Sequence, residues 1–152
     1  MSLTQATATG AVIGTPTTSD NITWNIPVTS LSASGTVILT IAANKVKDPA
    51  GNDNTAATFT DRTVTYDITP PDVAINQDGA QPDPTGASPI IFTAVFSEAI
   101  NPATFTAPDI TLTGTATGAV VGTPTTLDNI TWSIPVTGMT ASGTVILFNG
   151  CQ

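Results

Sequence analysis

The feature that most constrains this chain is internal repetition. Thr7 to Leu39 reads TATGAVIGTPTTSDNITWNIPVTSLSASGTVIL, and Thr115 to Leu147 reads TATGAVVGTPTTLDNITWSIPVTGMTASGTVIL. Aligned without a gap, 27 of these 33 positions are identical, with Trp24 over Trp132 and Pro27 over Pro135. The offset between the copies is 108 residues. A period of about 100 residues is the size of a whole β-domain and several times that of a solenoid turn. The chain is therefore expected to be a window on an array of near-identical β-modules.

Local patterning agrees. Thr makes up about a fifth of the chain, with many Val, Ile, Gly and Pro, a mixture that suits strands and tight turns and penalises long helices. Ile22, Trp24, Ile26 and Val28 alternate with Thr23, Asn25 and Pro27, the period of a half-buried strand. Both Trp24 and Trp132 are thereby expected to point into a core rather than to stack on a sugar. Pro27 cannot donate to a ladder and is expected at an edge or a bulge. Further strands are expected at Thr9–Gly14, Thr36–Ala42, Phe59–Tyr66, Val73–Asn76 and Ile90–Phe96, and around Ile110 and Leu112. In the strand at Ile90–Phe96, Ile90, Phe92, Ala94 and Phe96 form one apolar face. Phe105 is the one aromatic that reads as loop-borne.

The clearest boundary is Asp67-Ile-Thr-Pro-Pro-Asp72, where two prolines make a short, stiff joint. It divides the chain into residues 1–69, the back part of one repeat, and residues 70–152, the front part of the next. The second copy departs from the first after Leu147, so it lacks the last strand. The joint spans at most about 20 Å of extended chain, too little to return a strand across a domain. Strand exchange is therefore expected, with residues 70–114 of one molecule completing residues 7–69 of another in a homo-oligomer.

Charge and composition exclude several functions. Charged residues are 9 % of the chain and the net charge is −8, with Lys45, Lys47 and Arg62 the only basic side chains. Nucleic acid and anionic membrane both require clustered Lys and Arg. There is no His and one Cys, Cys151, which removes Cys/His nucleophile pairs, His-bearing zinc sites and any internal disulfide. No apolar run is long enough to span a membrane. The opening Met-Ser-Leu reads as an added start, not as a signal peptide.

Taken in order, DITPPDVAIN, FTAVFSEAI, DITLTG, DPAGNDN and TVTYD resemble bacterial immunoglobulin-like (Big-type) tandem repeats of large surface and adhesin proteins. The resemblance covers Thr7 to Leu147. It implies an all-β fold, a seven-strand Greek-key β-sandwich repeated about every 108 residues, whose work is to extend and space outside the cell. In some such arrays calcium at the joints stiffens the rod.

The oxygen-bearing residues Asp48, Asn52, Asp53, Asp67, Asp72 and Glu98 are the candidate calcium ligands, since calcium takes six to eight oxygens, often from a carboxylate-rich loop and a distant acid. Their alternative role is to shape Asx turns. Glu98 would otherwise cap backbone amides, and Tyr66 reads as a sheet residue. Asp78 and Asp83 could be read as a glycosidase pair, but both lie among Gly and Pro turn signals. Asn21-Ile-Thr and Asn129-Ile-Thr match the glycosylation sequon and would be silent in a bacterium. Two functions are carried forward: a non-catalytic structural spacer and, as the alternative, a carbohydrate- or protein-binding module acting through loops at one pole. No catalytic residue and no cofactor other than calcium is expected.

Overall fold

The computed structural model describes residues 2–3 and 7–149, so Cys151 lies outside the described residues. The chain is all-β, with short strands, two 3-10 turns and no α-helix among the described residues. It divides into two compact units, Met1–Thr69 and Pro70–Gln152.

Unit 1 contains β1 (Ser2–Leu3), β2 (Val12–Ile13), β3 (Thr17–Thr18), β4 (Trp24–Asn25), β5 (Val28–Thr29), β6 (Gly35–Thr40) and β7 (Thr63–Tyr66). Strands β1, β6 and β7 form one antiparallel sheet in that order, while β2 pairs only β5 and β3 only β4. Strand β7 is shorter than the expected Phe59–Tyr66. Phe59 lies outside it, and its ring carries the Arg62 guanidinium 3.5 Å from its centroid, a cation–π contact between residues three apart.

Unit 2 contains β8 (Val73–Gln77), β9 (Ile90–Phe96), β10 (Ile110–Gly114), β11 (Val120–Val121), β12 (Thr125–Thr126), β13 (Thr131–Thr137) and β14 (Val145–Asn149). One sheet runs β11-β13-β9-β8 with β12 also on β13, and a second pairs β10 with β14. Two 3-10 turns, Pro102–Thr104 and Ala107–Asp109, lead from β9 into β10. Side chains of both sheets meet in one cluster: Ala94, Trp132, Ile134 and Val136 from the first, Ile110 and Leu147 from the second. The ring of Phe105 joins this cluster. It stands edge-on to Phe96 at 5.3 Å and to Trp132 at 5.1 Å, so this loop residue is a core residue.

The two copies of the repeated stretch build the same bulge. In unit 1, Ile13 pairs Val28 and Thr17 pairs Asn25, so residues 14–16 oppose residues 26–27. In unit 2, Val121 pairs Val136 and Thr125 pairs Ser133, leaving residues 122–124 against 134–135. The carbonyl of Pro27 accepts from Gly14 N at 2.8 Å, and that of Pro135 from Gly122 N at 2.7 Å. In an antiparallel ladder a residue's N and O point to the same neighbour. The missing proline N–H therefore falls on the bulged side, where the ladder is already interrupted.

The register of β1 extends the correspondence beyond the aligned stretch. Leu3 pairs Leu39 and Ser2 pairs Thr40, as Leu112 pairs Leu147 and Thr111 pairs Phe148. Leu3 thus stands where Leu112 does, although one more residue separates it from the repeat. Unit 1 therefore takes a strand from ahead of the repeated stretch as well as from behind it.

Burial is where the copies part. In unit 2 the stretch forms one strand, β13, laddered to β9 from Thr131↔Val95 to Val136↔Ile90. Trp132 is 3 % exposed, and Ile134 and Val136 are fully buried. In unit 1 the same sequence forms only the short β4 and β5, paired on one side. Trp24, expected in a core, is 49 % exposed and Ile22 86 %. The reason is that, among the described residues, unit 1 has no strand in the position of β9. The converse holds at the other sheet. Val37 on β6 is buried where β7 covers its strand, whereas its counterpart Val145 on β14, which has no such second neighbour among the described residues, is half-buried.

Ile134→Ala is expected to cost about 2–5 kcal/mol, the range for emptying a filled core site. Ile26→Ala, at the matching position of unit 1, is expected to cost less than half as much. Denaturant unfolding of the two variants checks the difference.

Candidate functional site

Three groups of residues carry the polar chemistry of this chain. The first is the oxygen-rich loop between β6 and β7. It folds back as a hairpin in which Lys47 bridges Asp53. Asn44 N donates to Asn54 O and Asn54 N to Val46 O, both at 3.0 Å. Asn54 staples the turn with its side chain. Its Oδ1 accepts from the amides of Lys45 (2.8 Å) and Val46 (2.9 Å), and its Nδ2 donates to Ala42 O at 3.0 Å. Asp48 closes the tip by accepting from Asn52 N at 2.8 Å and Asn52 Nδ2 at 2.9 Å. The Asn52 side chain and then its amide hold the Asp48 carboxyl below its ordinary value. Gly51, at φ +91°, supplies the left-handed residue that this tip requires.

The candidate calcium ligands are distributed by this geometry. Asp48 and Asn52 bind each other, and Asp53 is paired with Lys47 Nζ at 2.6 Å. Asp67 accepts from Ser34 Oγ at 3.0 Å and Thr69 N at 2.9 Å, fixing the end of unit 1 to the start of β6. Asp72 belongs to unit 2, where its backbone exchanges hydrogen bonds with Ser97: Asp72 N donates to Ser97 Oγ and Ser97 N to Asp72 O, each at 2.9 Å. Glu98 is half-buried immediately after Ser97. Among the described residues no three His, Cys, Asp or Glu side chains gather as a metal-holding group. The loop residues have protein donors, and Lys47 Nζ is paired with Asp53, so the oxygens of this loop are engaged within the chain. Asn54 has the largest share of the loop's hydrogen bonds. Its signal in the sequence was only its place in the run Asn52-Asp53-Asn54.

The second group is a turn that occurs twice. Asp20 Oδ1 accepts from Ile22 N (2.9 Å), Thr23 N (2.7 Å) and Thr18 Oγ1 (3.1 Å). Asp128 Oδ1 does the same with Ile130 N (2.9 Å), Thr131 N (2.7 Å) and Thr126 Oγ1 (3.1 Å). The intervening Asn21 and Asn129 sit at φ 58° and 60°, a region that Asn tolerates better than most residues. These asparagines, the sequon positions, are therefore turn residues. The amide of Ile22 chiefly lowers the Asp20 carboxyl from its ordinary 3.8, and the amide of Thr131 chiefly lowers that of Asp128.

The third group lines an open hollow formed by Asp78, Thr93, Thr126, Asp128, Trp132 and Ser133. Asp78 accepts from Thr93 Oγ1 at 3.0 Å and Ala80 N at 2.9 Å, so both carboxylates of the hollow are engaged in their own turns. Asp83 is not among its lining residues. No helix of the described residues is long and apolar enough to cross a membrane.

No family model, no curated protein and no solved structure matches this chain.

Two outcomes are expected. A lowered carboxyl pKa stabilises the fold above the ordinary value near 3.8, and that contribution is lost as pH falls through the lowered folded value. Acid titration of stability should therefore show a weaker loss below about pH 4 for Asp128→Asn than for the parent chain. Thermal unfolding is expected to be the same in millimolar calcium and in EDTA. A rise of several degrees in calcium would mean that an ion binds the folded chain.

Proposed function

We propose that this chain is a non-catalytic structural spacer from an immunoglobulin-like tandem array of a bacterial surface protein. The observation that carries the reading is that one near-identical sequence builds the same bulged strand pair and the same Asp-capped turn twice. The strand order supports it. The sheet β11-β13-β9-β8 opposite β10-β14 has the layout of a four-plus-three sandwich without its last strand. In unit 1, β7 lies against β6 where that last strand would lie. Residues 70–147 followed by residues 40–69 make up one 108-residue period, and that composite holds β8 to β14 and β7, seven strands when β11 and β12, interrupted by the bulge, are counted as one. The extracellular address rests on the resemblance to surface repeats.

The binding alternative draws on the exposure of Trp24. The burial of Trp132 in the same sequence accounts for that exposure by a missing neighbour strand, not by a loop shaped for sugar. A glycan that quenched Trp24 fluorescence would favour the alternative.

Chains carrying one, two and four copies of the 108-residue composite test the spacer reading by small-angle scattering. The maximum dimension is expected to grow in proportion to the number of repeats. A particle that grows only as the cube root of its mass would sink the proposal.

A further inference from the structure

The exposed edge of β4 and β5 is an acceptor whose occupant can be specified, because the same sequence is seated elsewhere in the chain. Residues 23–28 read Thr-Trp-Asn-Ile-Pro-Val and residues 131–136 read Thr-Trp-Ser-Ile-Pro-Val, one difference in the six positions that ladder to β9. In unit 2 Trp132 opposes Ala94, Ile134 opposes Phe92 and Val136 opposes Ile90. Beyond that ladder, Phe96 N donates to Ile130 O and Ile100 N to Asn129 O, each at 3.0 Å. The corresponding acceptors in unit 1 are the carbonyls of Ile22 and Asn21, and both residues are exposed.

We propose that the β4–β5 edge of unit 1 docks an antiparallel strand pair of the β8–β9 sequence, carried by another repeat. In register, Trp24 opposes the Ala94 position, Ile26 the Phe92 position and Val28 the Ile90 position. The bulge at residues 14–16 is already formed on the far side, so the acceptor is shaped before the donor arrives. The inference rests on the reading of both units as pieces of one repeated fold. It deepens that reading by naming the segment through which one repeat completes another.

A second copy of this chain is a poor donor. Each chain carries one β8–β9 pair and two acceptors, so withdrawing β9 from β13 to cover Trp24 uncovers Trp132, Ile134 and Val136. Exchange between identical copies therefore moves the exposed face without removing it. A repeat whose own acceptor is not competing removes it outright.

The test joins a second copy of residues 70–110 ahead of Ser2 in the whole chain, the junction at which Leu3 keeps the place of Leu112. Acrylamide quenching of Trp fluorescence is compared between this extended chain and the parent, each with and without Trp24→Phe, so that the difference isolates Trp24. The expected result is that Trp24 quenching falls severalfold in the extended chain, toward that of Trp132. The same extension with the Phe92 counterpart changed to Asp should leave Trp24 as accessible as in the parent. Trp24 remaining open in the unmodified extension overturns the docking proposal, while the scattering of the multi-repeat chains judges the spacer reading separately. Shielding of Trp24 in the parent chain as concentration rises, with a doubled solution mass, overturns the choice of donor in favour of a second copy.

Discussion

The ladder between β9 and β13 is the contact on which the rest of unit 2 depends. It joins the two longest strands of the chain and buries Trp132, Ile134 and Val136 against Ala94, Phe92 and residues of the facing sheet. Fully burying a Val, Ile or Leu side chain is worth about 1.5–3 kcal/mol relative to exposure, so these positions alone outweigh any surface ion pair, which contributes about 1 kcal/mol or less. Unit 1 shows what the same residues do without that partner. The strand breaks around Ile26 and Pro27, and the indole faces solvent.

What survives the loss is also informative. The Asp20 turn, the left-handed Asn21 and the bulge opposite Pro27 match their counterparts in unit 2. These features are satisfied by hydrogen bonds within a few residues or across a single short pairing. Local chemistry thus defines the turn and the bulge, and the non-local strand defines whether the hairpin's strand is continuous and its apolar face covered. In this chain the division between propensity and packing runs through one repeated sentence of sequence, read once with its neighbour and once without.

That division also explains how much was legible beforehand. Period-two alternation at Ile90–Phe96, the turn residues and the bulge at Pro27 are encoded nearby and are readable. The exposure of Trp24 is not, because alternation states which side a residue takes and not whether anything lies there. Phe105 reads as a loop residue, yet its loop lies over Phe96 and Trp132. The place of Leu3 was hidden by one extra residue before the repeat, which defeats gapless alignment but not strand pairing. At the acidic loop, the count of oxygens is legible in the sequence, whereas the contacts that Lys47 and Asn54 make there depend on how the hairpin folds back.

The near-identity of the two acceptors acquires a further meaning when the chain is made from its N-terminus. Residues 23–28 emerge first, β9 next, and β13 last, so for an interval the one β13-like sequence already made is that of residues 23–28. Synthesis takes seconds at about 5–20 residues per second, far longer than the microseconds in which a hairpin forms. Order of birth thus favours the pairing that the finished unit 2 does not contain.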